Sequence, residues 1–199
     1  MVIYLVRHGE THWNHLGKIQ GQSDISLNEA GIRMAQAAAE RLKDVPFDRV
    51  FSSPLLRARQ TAEILAEGHG AAVETDDRLK EMSFGCEEGA VVDRICENPQ
   101  DPMYRFFRDP EHFCPPEGAE SFEQLYERTG AFMREVMLPL EKTCRYVLVT
   151  AHGAVNHSII NAIAGIPLSE FWKIWIGNCE TVKIILEGGK FHLEASESA

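Results

Sequence analysis

The chain has 199 residues, of which 44% are hydrophobic, enough for one domain with a substantial core. Its formal net charge of -10 argues against nucleic acid as the main partner and against binding to an anionic membrane surface. The sequence shows no apolar run of membrane-spanning length and no signal-peptide pattern, so we expect a cytoplasmic protein. The cysteines are odd in number and lack a C-x-x-C pair, which favours a reducing compartment over disulfides or a zinc site.

The first predicted element is a buried strand that ends in a basic triplet. Residues 2–6 are apolar and do not alternate with polar residues, which is typical of a strand covered on both faces. Arg7, His8 and Gly9 follow, where ligand sites of open α/β sheets gather. Arg7 suits phosphate or carboxylate, and His8 suits a base, a nucleophile or a metal ligand. Gly9 would let the backbone turn sharply towards a ligand. Taken alone, the triplet is equally compatible with a solvated strand end.

Two helices and a second strand are predicted next. The polar residues 18–24 predict a loop, and Ser26 with Glu29 then fits a capping box that opens a helix. Small or apolar residues recur along that helix at a period near 3.6: Leu27, Gly31, Met34, Ala35, Ala38 and Leu42. Residues 49–52 predict a second buried strand. Ser53 and Pro54 follow as the cap and first residue of another helix.

Arg57 should lie near the amino end of this second helix, just past a strand's carboxyl end. The helix dipole, the free backbone N–H groups and the guanidinium would together favour a bound anion there. Arg59 should point elsewhere, because residues two apart on a helix do not share a face. The alternative for Arg57 is a surface salt bridge to Glu63 or Asp48. We favour anion binding, because the second strand end would place Arg57 beside Arg7.

The middle of the chain combines one carboxylate of interest with an irregular segment. Residues 71–75 predict a short strand, and in the loop that follows Glu81 is flanked by Met82 and Phe84. Partial shielding from water would suit a general acid, although a solvated loop glutamate is the simpler interpretation. Residues 89–116 lack a clean period and are rich in aromatic residues, arginine and proline. They predict a lid or insertion at about residues 86–120, the alternative being a loosely packed surface subdomain.

The last third of the chain predicts a helix, a strand, a helix and a hairpin. Ser121 and Gln124 fit a capping box, and the helix after it carries an apolar face of Phe122, Leu125, Tyr126, Thr129, Phe132, Met133 and Val136. Residues 146–150 predict a third buried strand that ends in a second His–Gly pair, His152 and Gly153, before another helix. The segments 180–186 and 190–194 flank two glycines and predict a hairpin, and residues 195–199 are expected to fray.

These blocks together resemble the histidine phosphatase superfamily, in its phosphoglycerate mutase-like branch. They occur in family order over nearly the whole chain, which makes the combination specific. The matching residues are Arg7, His8, Gly9, Glu10, Thr11 and Asn14; Ser52 to Leu55, Arg57, Ala58 and Gln60 to Ala62; Glu81, Met82, Phe84, Gly85, Glu88 and Gly89; Pro116 and Gly118 to Ser121; and Ala151, His152 and Gly153.

The resemblance implies a three-layer α/β/α sandwich with a mostly parallel central sheet, here with a C-terminal hairpin, in a single domain over residues 1–199. It also implies phosphoryl transfer through a phosphohistidine, without a metal or other cofactor. Carried over by position, His8 is the nucleophile and Glu81 the proton donor. The phosphate pocket consists of Arg7, Arg57 and His152, with help from Asn14. Nearby arginines should keep His8 neutral, as a nucleophile must be.

The sequence determines the identity of the substrate less closely than the phosphate pocket. We add Gln20, Gly21 and Gly153 to the candidate substrate-binding residues, and Arg105 and Arg108 from the predicted lid. Glu87 stands where the family usually has tryptophan, and the long insertion of the glycolytic mutases is missing, which favours a phosphatase over a mutase. The expected partner is a small phosphate ester: a sugar phosphate, phosphoglycerate or a nucleotide-like monophosphate. Formation of a homo-oligomer is left open.

Two other classes of function compete with this hypothesis. His8, His12 and His15 could be a metal cluster at helical spacing, but Gly9 after a buried strand predicts a turn, and no acidic residue or cysteine completes the set. The second alternative is a catalytically inactive phosphate-binding module on the same fold. The joint presence of all the candidate catalytic residues argues against it.

Overall fold

The structure, a computed structural model, describes residues 1–194 and contains one mixed sheet of six strands. The strands are Val2–Arg7 (β1), Arg49–Ser52 (β2), Val73–Thr75 (β3), Tyr146–Ala151 (β4), Thr181–Glu187 (β5) and Lys190–Leu193 (β6). Their order is β3-β2-β4-β1-β5-β6. The first four run parallel, and β5 pairs antiparallel with both β1 and β6. This confirms the mostly parallel sheet and the C-terminal hairpin. The predicted frayed end lies outside the described residues.

Eight α-helices are present in the described part of the chain. They are His12–His15 (α1), Glu29–Leu42 (α2), Leu56–Ala66 (α3), Val92–Glu97 (α4), Tyr104–Arg108 (α5), Phe122–Phe132 (α6), Leu138–Leu140 (α7) and Gly153–Ala164 (α8). A single π turn, Met133–Met137, joins α6 to α7. Across residues 1–194, no helix combines the length and the apolar character that crossing a membrane would need.

Alternate side chains of the central strands face two separate helical layers, because a strand's pleat directs them to opposite sides. Ile3 and Leu5 of β1 belong to a core with side chains of α6 and α8. Tyr4 and Val6 belong to a second core with side chains of α2 and α3. Both faces of β1 are therefore buried, which explains its unbroken apolar sequence and confirms the α/β fold with helices on either side of the sheet.

The predicted lid segment packs onto the first of these cores. Phe106 is only 2% exposed, and its ring contacts five other aromatic rings: Phe84, Phe107, Phe113, Phe122 and Trp172. This packing argues against a loosely packed surface subdomain. The function of the segment as a lid remains a prediction.

The start of α2 differs from the sequence prediction. Asn28, and not Ser26, is the cap, and its Oδ1 accepts a hydrogen bond of 2.7 Å from the backbone N–H of Gly31. Leu27 remains extended because it forms a β-bridge with Thr11, so the helix cannot begin at Ser26. Met34, predicted on the buried face, is 38% exposed. Both details of the prediction are wrong, although the helix itself is confirmed.

Two further local interpretations need correction. Helix α3 begins at Leu56, because Ser53 caps only a preceding turn: its Oγ accepts from the N–H of Leu55 at 3.3 Å. Gly9 does not adopt a left-handed conformation. Its small size serves packing instead, since a Cβ there would lie 2.7 Å from the carbonyl oxygen of Gly31 in α2. The glycine therefore allows α2 to approach the end of β1.

Candidate active site

Three neighbouring strands end at one edge of the sheet and bring their following residues together. Arg7 of β1 pairs in register with Ala151 of β4, and Ser52 of β2 pairs with Thr150. A cavity of about 570 Å³ opens at this edge. Its lining includes nine of the sequence-predicted site residues: Arg7, His8, Asn14, Gln20, Gly21, Arg57, Glu81, Arg108 and Gly153.

His8 is held in one orientation and one protonation state. Its Nδ1 lies 2.7 Å from the carbonyl oxygen of Gly9, which can only accept, so Nδ1 carries the proton. Burial lowers the pKa of His8 well below its ordinary value, and the charges of Arg57 and Arg7 lower it further. The ring is therefore neutral at pH 7, and Nε2 keeps a free lone pair. The expectation that the arginines keep His8 neutral holds, but burial is the larger cause.

The lowered pKa predicts an unusual pH dependence. An ordinary histidine, with a pKa of about 6.5, would lose roughly three quarters of its neutral form between pH 7.5 and pH 6. Because the protonated form of His8 is disfavoured, its neutral form should persist over this range. We expect the second-order rate constant for phosphorylation by p-nitrophenyl phosphate, corrected for the substrate's own ionisation, to stay constant within about twofold. Stopped-flow release of nitrophenolate measures it, and a fourfold fall would contradict the assigned state.

Arg57 is a fully buried cation and Arg7 a partly buried one, and the hydrogen bonds of both go to backbone carbonyls. Arg7 Nη1 donates to Ile176 at 2.7 Å, and Arg57 donates to Gly21 at 2.7 Å and Ser23 at 2.9 Å. Burial is the main cause that lowers the pKa of both, that of Arg57 to about 10, so both stay charged at neutral pH. The Nε atoms are buried and make no hydrogen bond within the described residues. Buried cations of this kind are costly unless an anion joins them.

The loop that holds Arg57 is itself held by Glu88. Its carboxylate accepts hydrogen bonds from the backbone N–H groups of Gln22 and Ser23, both at 2.8 Å. Gly21 packs so tightly here, at a φ of +54°, that a Cβ would overlap the Glu88 carboxylate. Glu88 thus positions the carbonyls that bind Arg57. Glu88 belongs to the motifs that carry the family resemblance, but no local pattern predicts this positioning contact.

The predicted reason for anion binding near Arg57 is partly wrong. Arg57 is the second residue of α3, as expected, and the exposed Arg59 pairs with Glu63 instead. The amino end of α3, however, is already occupied by a carboxylate of the chain: Asp24 accepts from the N–H of Leu56 at 2.6 Å. This leaves the guanidinium of Arg57 as the candidate anion-binding group in this region, without direct help from the helix terminus.

His152 lies behind His8 and does not line the cavity. It is fully buried as the cap residue of α8, and the two imidazole rings are 5.1 Å apart between centroids. Burial, followed by the charge of Arg57, lowers its pKa well below the ordinary value. Neither ring nitrogen has a hydrogen-bond partner within residues 1–194. A neutral imidazole carries one N–H, so His152 offers one unused donor beside His8.

Asn14 and Gln20 present amide groups to the cavity. The Oδ1 of Asn14 accepts from the backbone N–H of Thr11 at 3.1 Å, and the Oε1 of Gln20 accepts from the Thr11 hydroxyl at 2.8 Å. Because Thr11 engages both carbonyl oxygens, the NH₂ groups of the two side chains remain as donors. Both residues line the cavity. They add two amide donors to the candidate phosphate site.

Glu81 is fixed by two backbone N–H groups. Its Oε1 accepts from Met82 at 2.9 Å, and its Oε2 accepts from Ala154, in the first turn of α8, at 3.2 Å. Gly153 adjoins this contact: a Cβ there would be in ordinary van der Waals contact, 3.5 Å from Oε2 and 3.9 Å from the Arg7 guanidinium. The structure therefore places one carboxyl group at the cavity wall, close to the arginines.

The two lid arginines separate in the structure. Both are exposed on α5, but only Arg108 lines the cavity. Arg105 donates instead to the carbonyl oxygen of His112 at 3.2 Å. The prediction that Arg105 faces the substrate is not supported, because its guanidinium is bound to the segment after α5, although residues three apart on a helix lie on one face.

A second missed residue supports His8 from the far end of the chain. Asn178 Nδ2 donates to the carbonyl oxygen of His8 at 2.8 Å, and the backbone N–H of Cys179 donates to the carbonyl oxygen of Arg7 at 2.9 Å. Cys179 adopts a left-handed φ of 55°, which is unusual for a residue other than glycine. No pattern in the sequence pointed to these contacts.

The three histidines of the competing metal hypothesis do not share one environment. His8 is 3% exposed, whereas His12 and His15 are exposed on α1. Among residues 1–194, no group of three or more His, Cys, Asp or Glu side chains is arranged to hold a metal ion.

Comparison with known proteins agrees with this geometry. The model of the histidine phosphatase superfamily (branch 1) matches residues 3–198. The probable phosphoglycerate mutase GpmB of Yersinia pestis is 34% identical over 182 residues, covering 92% of this chain and 83% of the relative. The structure of Bacillus stearothermophilus YhfR has a TM-score of 0.87 and 28% identity, covering 100% of this chain and 97% of that one. A mutant phosphoserine phosphatase of Entamoeba histolytica, in complex with phosphoserine, has a TM-score of 0.84 and 27% identity, covering 98% of this chain and 95% of that one. The chain belongs to the histidine phosphatase superfamily.

Proposed function

We propose that this protein is a phosphatase that hydrolyses small phosphate monoesters through a phosphohistidine on His8, without a metal ion or other cofactor. One observation carries the proposal: a neutral histidine, with Nδ1–H bound to the Gly9 carbonyl, shares a cavity with the buried Arg57 and the partly buried Arg7, whose Nε atoms have no hydrogen-bond partner in the described part of the chain. A transferring phosphoryl group needs a positioned nucleophile and fixed positive donors.

In the proposed binding step, Arg7 and Arg57 bind the phosphoryl oxygens, assisted by the amides of Asn14 and Gln20, while His152 packs beside the ring of His8. Each hydrogen bond to a charged group contributes roughly 1.5–3 kcal/mol. The donors need little rearrangement, because backbone carbonyls, Thr11 and Glu88 already hold most of them.

In the first chemical step, the Nε2 lone pair of His8 attacks phosphorus and the bond from phosphorus to the ester oxygen breaks. Glu81 delivers a proton to that oxygen, so an alcohol leaves rather than an alkoxide. In the second step, Glu81 takes a proton from water, whose oxygen attacks the phosphohistidine. Inorganic phosphate leaves and His8 is regenerated. The Gly9 carbonyl stabilises the positive charge that the ring carries in the intermediate, because it accepts from Nδ1–H.

Phosphoglycerate mutase activity is the second candidate, favoured by the 34% identity to a probable mutase. The two activities differ in the acceptor of the phosphoryl group. We expect the purified protein to release inorganic phosphate from several monoesters, and from 3-phosphoglycerate without forming the 2-isomer. A malachite-green assay over a panel of monoesters, with isomers separated by chromatography, measures both. Isomerisation faster than phosphate release would favour the mutase, and neither activity on any monoester would contradict the proposal.

A further inference from the structure

We infer that the group released from the phosphate ester is flat and largely apolar, such as an aromatic or fused-ring alcohol. This inference names the substrate class of the same cavity and rests on the proposed function. It is motivated by the composition of the cavity beyond its phosphate-binding end.

The far walls of the cavity are dominated by apolar side chains from three separate segments. They are Val92 and Cys96 of α4; Phe106 and Phe107 of α5; and Trp172, Ile174 and Trp175 from the chain after α8. Lys18, Asp93 and Arg108 are the charged residues found with them. Lys18 lies over the Trp13 ring, 5.7 Å from its centroid, so its charge is already engaged.

Part of this wall is a rigid aromatic cluster. Phe107 and Trp172 stack with an interplanar angle of 27°, and Phe106 meets both rings edge-on at 4.9 and 5.1 Å. The Nε1–H of Trp172 donates to the carbonyl oxygen of Phe106 at 2.7 Å, so its one polar atom is satisfied. What remains for a ligand is the apolar surface of the partly exposed Phe107 and Trp172, which the buried Phe106 holds in place, and ordered rings bind flat groups without losing side-chain freedom.

Trp175 adds an aromatic ring at the rim. It is 81% exposed, far more than the other exposed large hydrophobic residues of the described chain, which are Leu16, Ile32 and Met34. Of these four, Trp175 is the one that lines the cavity. An exposed tryptophan beside a concave site is a ready stacking surface, since covering it removes apolar area from water.

Polar leaving groups fit these walls poorly. A sugar would need several hydrogen-bonding side chains along its length, and desolvating its hydroxyl groups against phenylalanine, tryptophan and isoleucine is unfavourable. A carboxylated leaving group would need a cation, for which Arg108 at the rim is the available candidate. An apolar leaving group would therefore depend on Trp175, whereas a carboxylated leaving group would depend on Arg108.

The test compares naphthylethyl phosphate with ethyl phosphate. Both release a primary alcohol, so they need the same help from the proton donor and differ mainly in apolar surface. We expect kcat/KM to be at least about tenfold higher for naphthylethyl phosphate, and Trp175→Ala to remove about tenfold on that substrate while changing ethyl phosphate by less than about twofold. Met34→Ala, an exposed apolar truncation on α2, is the control and should change neither.

A binding measurement separates failure of this inference from failure of the proposed function. Calorimetry with naphthylpropyl phosphonate and propyl phosphonate, neither of which can be hydrolysed, should show the same preference and the same dependence on Trp175. If the protein hydrolyses nothing yet retains this preference, the proposed function fails and the apolar site stands. Equal affinities, or equal losses on both substrates in Trp175→Ala, would overturn the inference. A preference for phosphoserine that Arg108→Ala removes and Arg105→Ala does not would also overturn it, in favour of an anionic leaving group.

Discussion

Replacing His8 with alanine is expected to abolish phosphate release and covalent labelling together. The wild-type protein, quenched without acid during turnover of a good substrate, should carry a phosphate that is labile to acid and stable to base. His8→Ala should carry none and should lose at least about 10⁴-fold in kcat, because a nucleophile cannot be bypassed by the donors that remain. Phosphopeptide mass spectrometry and a phosphate-release assay without added metal measure both effects.

The control for this variant is His12→Ala. His12 is exposed on α1, four residues from His8, and does not line the cavity, so it should retain both activity and labelling. A phosphate located on serine or cysteine would contradict the mechanism. Full activity of His8→Ala in metal-free buffer would contradict it equally.

Replacing Glu81 with glutamine should separate substrates by their leaving groups. An alkoxide leaves only if an acid protonates it as the bond breaks, whereas nitrophenolate leaves without that help. We expect Glu81→Gln to lose about 10²–10⁴-fold in the phosphorylation step with alkyl phosphates and much less with p-nitrophenyl phosphate. Burst kinetics must isolate that step, because the same carboxylate also acts in the attack of water.

Glu87→Gln provides the matched control for Glu81→Gln. Glu87 lies in the same segment but does not line the cavity, and its carboxylate accepts a weak contact of 3.7 Å from the thiol of Cys86. It should behave like the wild type with both substrates. Glutamine at position 81 keeps one acceptor oxygen for the N–H groups of Met82 and Ala154, so thermal unfolding should be checked for each variant. The assignment fails if both leaving groups lose the same factor, or if alkyl phosphates are unaffected.

The order of secondary structure and the candidate phosphate site could be predicted from local sequence. Uninterrupted apolar runs predict strands buried on both faces, and parallel strands place their carboxyl ends on one edge. Four site residues each lie within a few residues of such a strand end: Arg7, His8, Arg57 and His152. The position of the strand end in the sheet therefore largely determines where these residues lie in the fold. The same argument explains why Glu81, in an irregular loop, depended on the resemblance.

Contacts between distant segments account for what the sequence analysis missed or placed wrongly. Glu88 binds Gln22 across 66 residues, and Asn178 binds the His8 carbonyl across 170 residues. The β-bridge from Thr11 to Leu27 delays the start of α2, and Asp24 occupies the amino end of α3. Secondary-structure propensity depends on neighbouring residues and therefore does not predict such long-range contacts.

The sequence by itself determined the α/β fold, the strand ends and the residues that gather at them, because these depend on short-range patterns of hydrophobicity and turn chemistry. Tertiary structure alone decided the shape and chemistry of the far end of the cavity. Its walls come from α4, α5 and the chain after α8, and only packing around Phe106 brings those segments together. It also decided that Arg108 lines the cavity and Arg105 does not, since the Arg105 guanidinium donates to the carbonyl of His112, a contact that helix spacing does not predict.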